Sequence, residues 1–258
     1  MVYTATDRPG GKAYALLAAS GNQLWSTGTG YVQAPPLIAG TRLLVLTRRG
    51  QMMAIDTRDG EIRWRKTIPS ERVGPLLVDR DRVLVSSYDS LYLVRVDDGK
   101  VLLRRRAPGM IASPWVRAGG NLVTGTGDSL VAAVSADSLE LQWKARLDGP
   151  LLVAPIAAGD TVYCVTQLGS LYQIIPGPEP VVTRLRDARW AATSPPAAFG
   201  PWILVGGSEG ALRAFRRSDG TEAWSLMVGR PLELAPLLLD DSEFLTVGGR
   251  GDVHRLRM

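Results

Sequence analysis

Apolar residues in this chain come in short runs, and each run is closed by a turn dipeptide. No stretch of a dozen residues keeps a 3.6-residue apolar period without a glycine or proline, so helix is unsupported. Residues 36–38, 43–47, 52–57 and 62–67 form four apolar or alternating runs separated by Ala39-Gly40, Arg49-Gly50 and Asp59-Gly60. The glycines supply positive φ and the aspartate can bond the local backbone, so the segment predicts a four-stranded antiparallel meander.

The meander repeats. A proline opening an apolar run recurs at Pro36, Pro75, Pro114, Pro155, Pro196 and Pro236, with spacings of 39, 39, 41, 41 and 40. Trp25, Trp64, Trp143 and Trp224 follow the same period, with the tryptophan missing near Leu103 and Thr183. A turn precedes each of these positions, at Ser20-Gly21, Asp59-Gly60, Asp98-Gly99, Asp137-Ser138, Gly177-Pro178 and Asp219-Gly220. A lone four-stranded sheet leaves a face uncovered, so such units must stack, and radial stacking at a period of about 40 residues predicts an all-β β-propeller. The N-terminal residues match the second to fourth strands of a unit and the C-terminal residues the first to third, which predicts 26 strands. Residues 1–258 are therefore expected to form a single propeller domain, five complete units plus a partial blade at each end. Seven blades are preferred; six, or a fragment of eight, are the alternatives.

Composition narrows the function. The 258 residues are 45 % apolar and 21 % charged, enough for a full core, and the longest apolar stretch, 150–158, is far short of a membrane span. The expectation is a soluble protein without direct membrane insertion. The net charge of +5 comes from scattered arginines, with lysine only at Lys12, Lys66, Lys100 and Lys144, and no basic face is concentrated enough for nucleic acid. Cys164 is the sole cysteine and His254 the sole histidine, which argues against disulfides, metal centres and histidine-dependent catalysis. Cys164, in VYCVT, reads as a small buried apolar residue, and His254 as structural. Compartment stays open: no export signal is evident in the chain as written, and a truncated N-terminus would make it periplasmic or membrane-associated.

The closing motifs GNQLW (21–25), GEIRW (60–64) and GTEAW (220–224) resemble the tryptophan-docking repeat of the PQQ-like β-propeller family, and the resemblance covers residues 2 to 257. It implies that Trp25, Trp64, Trp143 and Trp224 each pack against the next blade. The family includes quinoprotein dehydrogenases, a lipoprotein of the outer-membrane barrel-assembly machinery and sensor-fused propellers. The dehydrogenases carry a vicinal cysteine pair and an asparagine-containing calcium site. With one cysteine, and with Asn22 and Asn121 as the sole asparagines, this chain is nearer to the non-catalytic members, with no cofactor expected.

The leading expectation is a non-catalytic scaffold that binds another protein or peptide, the alternative being a quinone-dependent or other channel-based enzyme or a small-ligand sensor. Function is expected on the connections from the outer strand of one blade to the inner strand of the next. These carry Tyr31 and Gln33, Glu71 and Arg72, Met110, Leu151, Arg189 and Trp190, and Arg230 and Glu233. The candidate partner contacts are Tyr31, Arg72, Arg189, Trp190 and Arg230, because arginine and aromatic residues are enriched at binding hot spots. Trp190 has a competing role, covering the blade edge left bare by the lost tryptophan near Thr183. Arg48 and Arg49, in a turn between second and third strands, are expected away from this rim.

Overall fold

The computed structural model describes residues 1–6, 8–32, 34–68, 76–77, 79, 81–87, 89–187, 190–240, 243–248 and 252–257. Among them are 26 strands, all in antiparallel meanders, and no helix. The chain divides into two compact units, Met1–Ile111 with Ala136–Glu140, and Ala112–Ser135 with Leu141–Met258.

The first unit holds three sheets. The first contains β1 (Val2–Ala5), β2 (Lys12–Leu16) and β3 (Gln23–Gly28). The second contains β4 (Leu37–Ala39), β5 (Arg42–Leu46), β6 (Gln51–Asp56) and β7 (Ile62–Thr67), and the third β8 (Leu76–Leu77), β9 (Arg82–Ser86), β10 (Ser90–Arg95) and β11 (Val101–Arg106). The second unit holds four. They are β12 (Val116–Ala118) to β15 (Leu141–Arg146), with β13 at Asn121–Gly125 and β14 at Leu130–Ser135; and β16 (Ile156–Ala158) to β19 (Val181–Arg186), with β17 at Thr161–Val165 and β18 at Leu171–Ile175. The last two are β20 (Ala197–Phe199) to β23 (Glu222–Met227), with β21 at Trp202–Gly206 and β22 at Ala211–Arg216; and the three-stranded β24 (Leu237–Leu238), β25 (Glu243–Val247) and β26 (Val253–Arg257).

Each core layer lies between successive sheets. In β5, Leu43 and Val45 pack with Ala13, Ala15 and Trp25 of the first sheet, while Leu44 and Leu46 pack with Val83, Val85 and Val94 of the third. Alternate side chains point to opposite faces, so a strand buried on both faces must be apolar throughout, which is why RLLVL shows no alternation. The second unit repeats this with Val162 and Cys164 facing one neighbour and Tyr163 and Val165 the other. Cys164 is fully buried.

Turn chemistry follows the repeat. Gly60, Gly99 and Gly220 have φ near +70°, and at the matching position in the fourth sheet Leu139 takes φ 55°. That conformation disfavours a side chain, so the buried Leu139 is a strained exception to a glycine rule. Between third and fourth strands, six sheets carry a register shift. In five of them it immediately precedes the tryptophan position, as at Arg63 before Trp64. In the fifth sheet it has moved to Leu185, two residues beyond Thr183.

Candidate functional site

The tryptophans set the frame. Trp25 donates its indole N–H to the Thr57 carbonyl at 3.1 Å, and Trp64 donates to the Val96 carbonyl at 2.8 Å, each acceptor lying in the following sheet. Glycine is required beneath them: a Cβ on Gly60 would come within 2.7 Å of the Trp25 ring, and one on Gly99 within 2.7 Å of Trp64. Trp143 is equally buried, but among the described residues its Nε1 has no hydrogen-bond partner. Trp224 stacks on Phe244 at 6.4 Å and borders a cavity of about 480 Å³ with Trp202 and Leu256. In the fifth sheet, one of the two whose tryptophan is missing, the bulged Leu185 takes the place over the next glycine, Gly220.

The inter-sheet connections and the turns between second and third strands lie at the same end of the strands. This corrects the expectation that Arg48 and Arg49 face away from the rim. The Arg48 amide donates to the Tyr31 carbonyl at 2.9 Å, its guanidinium lies 4.6 Å over the Tyr31 ring, and Val32 bridges to Thr47. The cause is strand parity. In a four-stranded meander the second turn and the outgoing connection share an end, while the first and third turns share the other. The same bond recurs from Gln167 to the Pro150 carbonyl and from Ser208 to the Ala191 carbonyl. Tyr31, Thr47, Arg49, Gln51 and Thr67 together border a cavity of about 580 Å³ in the first unit.

In the second unit, Trp190 is half-buried, stacked on Phe215 at 6.1 Å with the Arg213 guanidinium 4.8 Å over its ring. Arg213 is in turn ion-paired to Glu209. The indole is thus seated against a core layer as well as partly presented to solvent. Arg230 is half-buried and pairs with Asp252 at 3.2 Å, beside Gly210, whose φ of +84° and contact with the Arg230 backbone leave no room for a side chain. Trp190 and Arg230 lie on the connections before and after β20–β23, at one end of that sheet. Leu151, placed on the rim by its position in the chain, is fully buried against Gly125 and belongs to the core. Met110 and Glu233 are exposed. Gln33, Glu71, Arg72 and Arg189 lie outside the described residues.

Acid–base chemistry finds little support in this arrangement. Burial pushes the Asp148 carboxyl up, but the Ser170 hydroxyl at 2.6 Å and Arg184 at 3.4 Å outweigh it and hold the group below its ordinary range. It is therefore a fixed anion at neutral pH. Among the described residues no group of three or more His, Cys, Asp or Glu side chains is placed to hold a metal ion. Arg49, expected away from the rim, and Gln51 beyond the same turn are both placed there by counting turns along the meander.

Comparison with known proteins places the chain. The family profile described as outer membrane protein assembly factor BamB matches residues 9–109 and 98–175. The outer membrane protein assembly factor BamB of Legionella pneumophila (strain Paris) is 26 % identical over 179 residues, 64 % of this chain and 46 % of that protein. The chain thus spans about half the length of the curated relatives it matches. The crystal structure of BamB from Moraxella catarrhalis superposes with a TM-score of 0.83 at 18 % identity, covering 99 % of this chain and 81 % of that one. The β-propeller domain of Myceliophteria thermophila Cps50 (Swd1) gives a TM-score of 0.72 at 12 % identity, covering 98 % and 91 %. The all-β sheets of this chain are those of a β-propeller.

Proposed function

The chain belongs to the family of outer membrane protein assembly factor BamB, and on that premise we propose that it is a non-catalytic scaffold holding other proteins during outer membrane protein assembly. In this reading residues 1–258 are one propeller domain whose seven sheets are seven blades, working on the periplasmic side of the outer membrane.

The partner is held at the end of the strands where the inter-sheet connections meet the second turns. The observation that carries this is the cavity of about 580 Å³ bordered by Tyr31, Arg49, Gln51 and Thr67, whose lining among the described residues includes neither a carboxylate nor a histidine. Such a surface offers an aromatic ring, a guanidinium and an amide for gripping a polypeptide. Tyr31, Arg72, Arg189, Trp190 and Arg230 are the proposed contacts, with Arg48 and Arg49 added to them.

Site-specific photocrosslinking in the native host tests the proposal. A photoreactive residue in place of Arg49 or Arg230 is expected to give an adduct with an outer membrane assembly protein, whereas one in place of Arg95, at the other end of its strand, is not. Adducts from position 95 alone, or none from positions 49 and 230, would refute the assignment of this face.

A further inference from the structure

The fifth and sixth sheets break the repeat in a coordinated way. In four sheets the docking tryptophan stands opposite an alanine: Trp25 and Ala15, Trp64 and Ala54, Trp143 and Ala133, Trp224 and Ala214. In the fifth sheet the pair is Thr183 and Gln173. The next sheet changes with it. Thr57 and Val96, whose carbonyls receive an indole N–H, both stand 21 residues after their repeat-marking prolines; 21 residues after Pro196 is Arg217. Where the first two sheets each put an indole against a carbonyl of the next, this junction has no indole and carries a guanidinium.

The result is a cavity of about 630 Å³ bordered by Tyr163, Gln173, Pro201, Trp202, Arg216 and Arg217. Arg217 is fixed. It donates to the Gly200 carbonyl at 3.2 Å, to the Ala158 carbonyl at 3.2 Å and to the Tyr163 hydroxyl at 3.5 Å, and its guanidinium lies 5.4 Å over the Tyr163 ring. Every one of those acceptors is neutral, so none of them offsets its charge. Gln173 also donates to the Tyr163 hydroxyl, at 3.4 Å. Arg216 is exposed and lies 5.7 Å over the Trp202 ring. Asp219 feels the Arg216 charge, yet its oxygen is engaged by the Thr221 amide at 2.9 Å and hydroxyl at 2.7 Å. Among the described residues neither Arg216 nor Arg217 forms an ion pair with a carboxylate.

Two cations with no ion-paired carboxylate among the described residues, set on two aromatic faces and a proline, match a carboxylate carried among apolar side chains. We propose that this cavity binds an acidic segment of a partner polypeptide, one in which a glutamate or aspartate alternates with apolar residues. The carboxylate meets Arg216 and Arg217, and the apolar neighbours lie on Trp202 and Tyr163. The site is at the other ends of the strands from the Gly207–Gly210 turn and the Trp190 and Arg230 connections. It is therefore separate from the face proposed above and stands or falls independently of it.

Fluorescence anisotropy with a capped, fluorescein-labelled octapeptide alternating glutamate and leucine tests the site. Saturable binding is expected to weaken as salt is raised, and to fall about ten-fold with Arg216→Gln, the loss of one charge-assisted contact. Ser218→Glu, which sets a negative charge at the cavity edge, should lower it as well, Arg216→Lys should retain part of it, and Arg49→Ala should leave it unchanged. A glutamine–leucine peptide binding equally well, or an Arg216→Gln variant with unaltered affinity, would overturn the proposal. So would competition by citrate at equal carboxylate concentration, since the site would then be one for small anions, and so would loss of binding with Arg49→Ala.

Discussion

Trp64→Phe and Trp143→Phe make the same chemical change in matched surroundings, each ring opposite an alanine in its sheet, with exposures of 9 % and 4 %. The loss of ring area is therefore common to both. What differs is the indole N–H. In Trp64 it donates to the Val96 carbonyl at 2.8 Å, and Val96 is itself buried, so phenylalanine removes a hydrogen bond and leaves an acceptor without water. The bond contributes about 1 kcal/mol net, and the stranded acceptor costs about 1 kcal/mol or more besides. In Trp143 the N–H is already unpartnered, so phenylalanine removes a buried donor that was unsatisfied and recovers part of its desolvation cost. Trp64→Phe should therefore be more destabilising than Trp143→Phe by about 2 kcal/mol. With a urea slope of about 2 kcal/mol/M, that places the two midpoints about 1 M apart. Equilibrium unfolding followed by circular dichroism, with slopes unchanged between variants, measures the gap. Equal midpoints, or a lower midpoint for Trp143→Phe, would refute the claim that the Val96 bond distinguishes the two sites.

Three other outcomes are expected. Gly125→Ala should cost at least about 2 kcal/mol in the same assay, because the new methyl would overlap the buried Leu151 side chain, whereas Gly120→Ala, into open space, should be near neutral. The Arg58 side chain and amide, followed by Arg63, hold the Asp56 carboxyl well below the usual range. The stability this contributes is present above the unfolded pKa of about 3.9 and lost as pH falls below it, so between pH 5 and pH 3 the urea midpoint should drop more in the wild type than in Asp56→Asn. Burial pushes the Cys164 thiol far up, so a thiol-reactive dye should label it only as fast as the protein unfolds, and labelling within seconds under native conditions would contradict the core placement.

Proline and tryptophan spacing made the 26 strands and their grouping legible, because strands buried on both faces must be apolar throughout and their turns need glycine. Less of the candidate site could be read. Arg48 and Arg49 were assigned to the wrong end although strand parity alone decides their place. Leu185 over Gly220 was hidden because a one-residue shift in register leaves no mark on spacing: by count, Thr183 occupies the tryptophan position. The cavity at Arg217 was invisible for a different reason. It depends on a lost tryptophan in one repeat together with an arginine in the next, and a single repeat aligned with its neighbours shows only an ordinary substitution.

The tryptophan-on-glycine contact gives the fold a direction in time. The Trp25 and Trp64 indoles each project from one sheet onto a turn that belongs to the next, so a sheet emerging from the ribosome carries a ring whose seat has not yet been made. Trp25 waits 35 residues for Gly60 and Trp64 waits 35 for Gly99, an interval of roughly 2–7 s at a synthesis rate of about 5–20 residues per second. Over these first sheets only the newer one lacks its cover, so the growing chain there presents one bare indole at its advancing edge rather than an accumulating apolar surface.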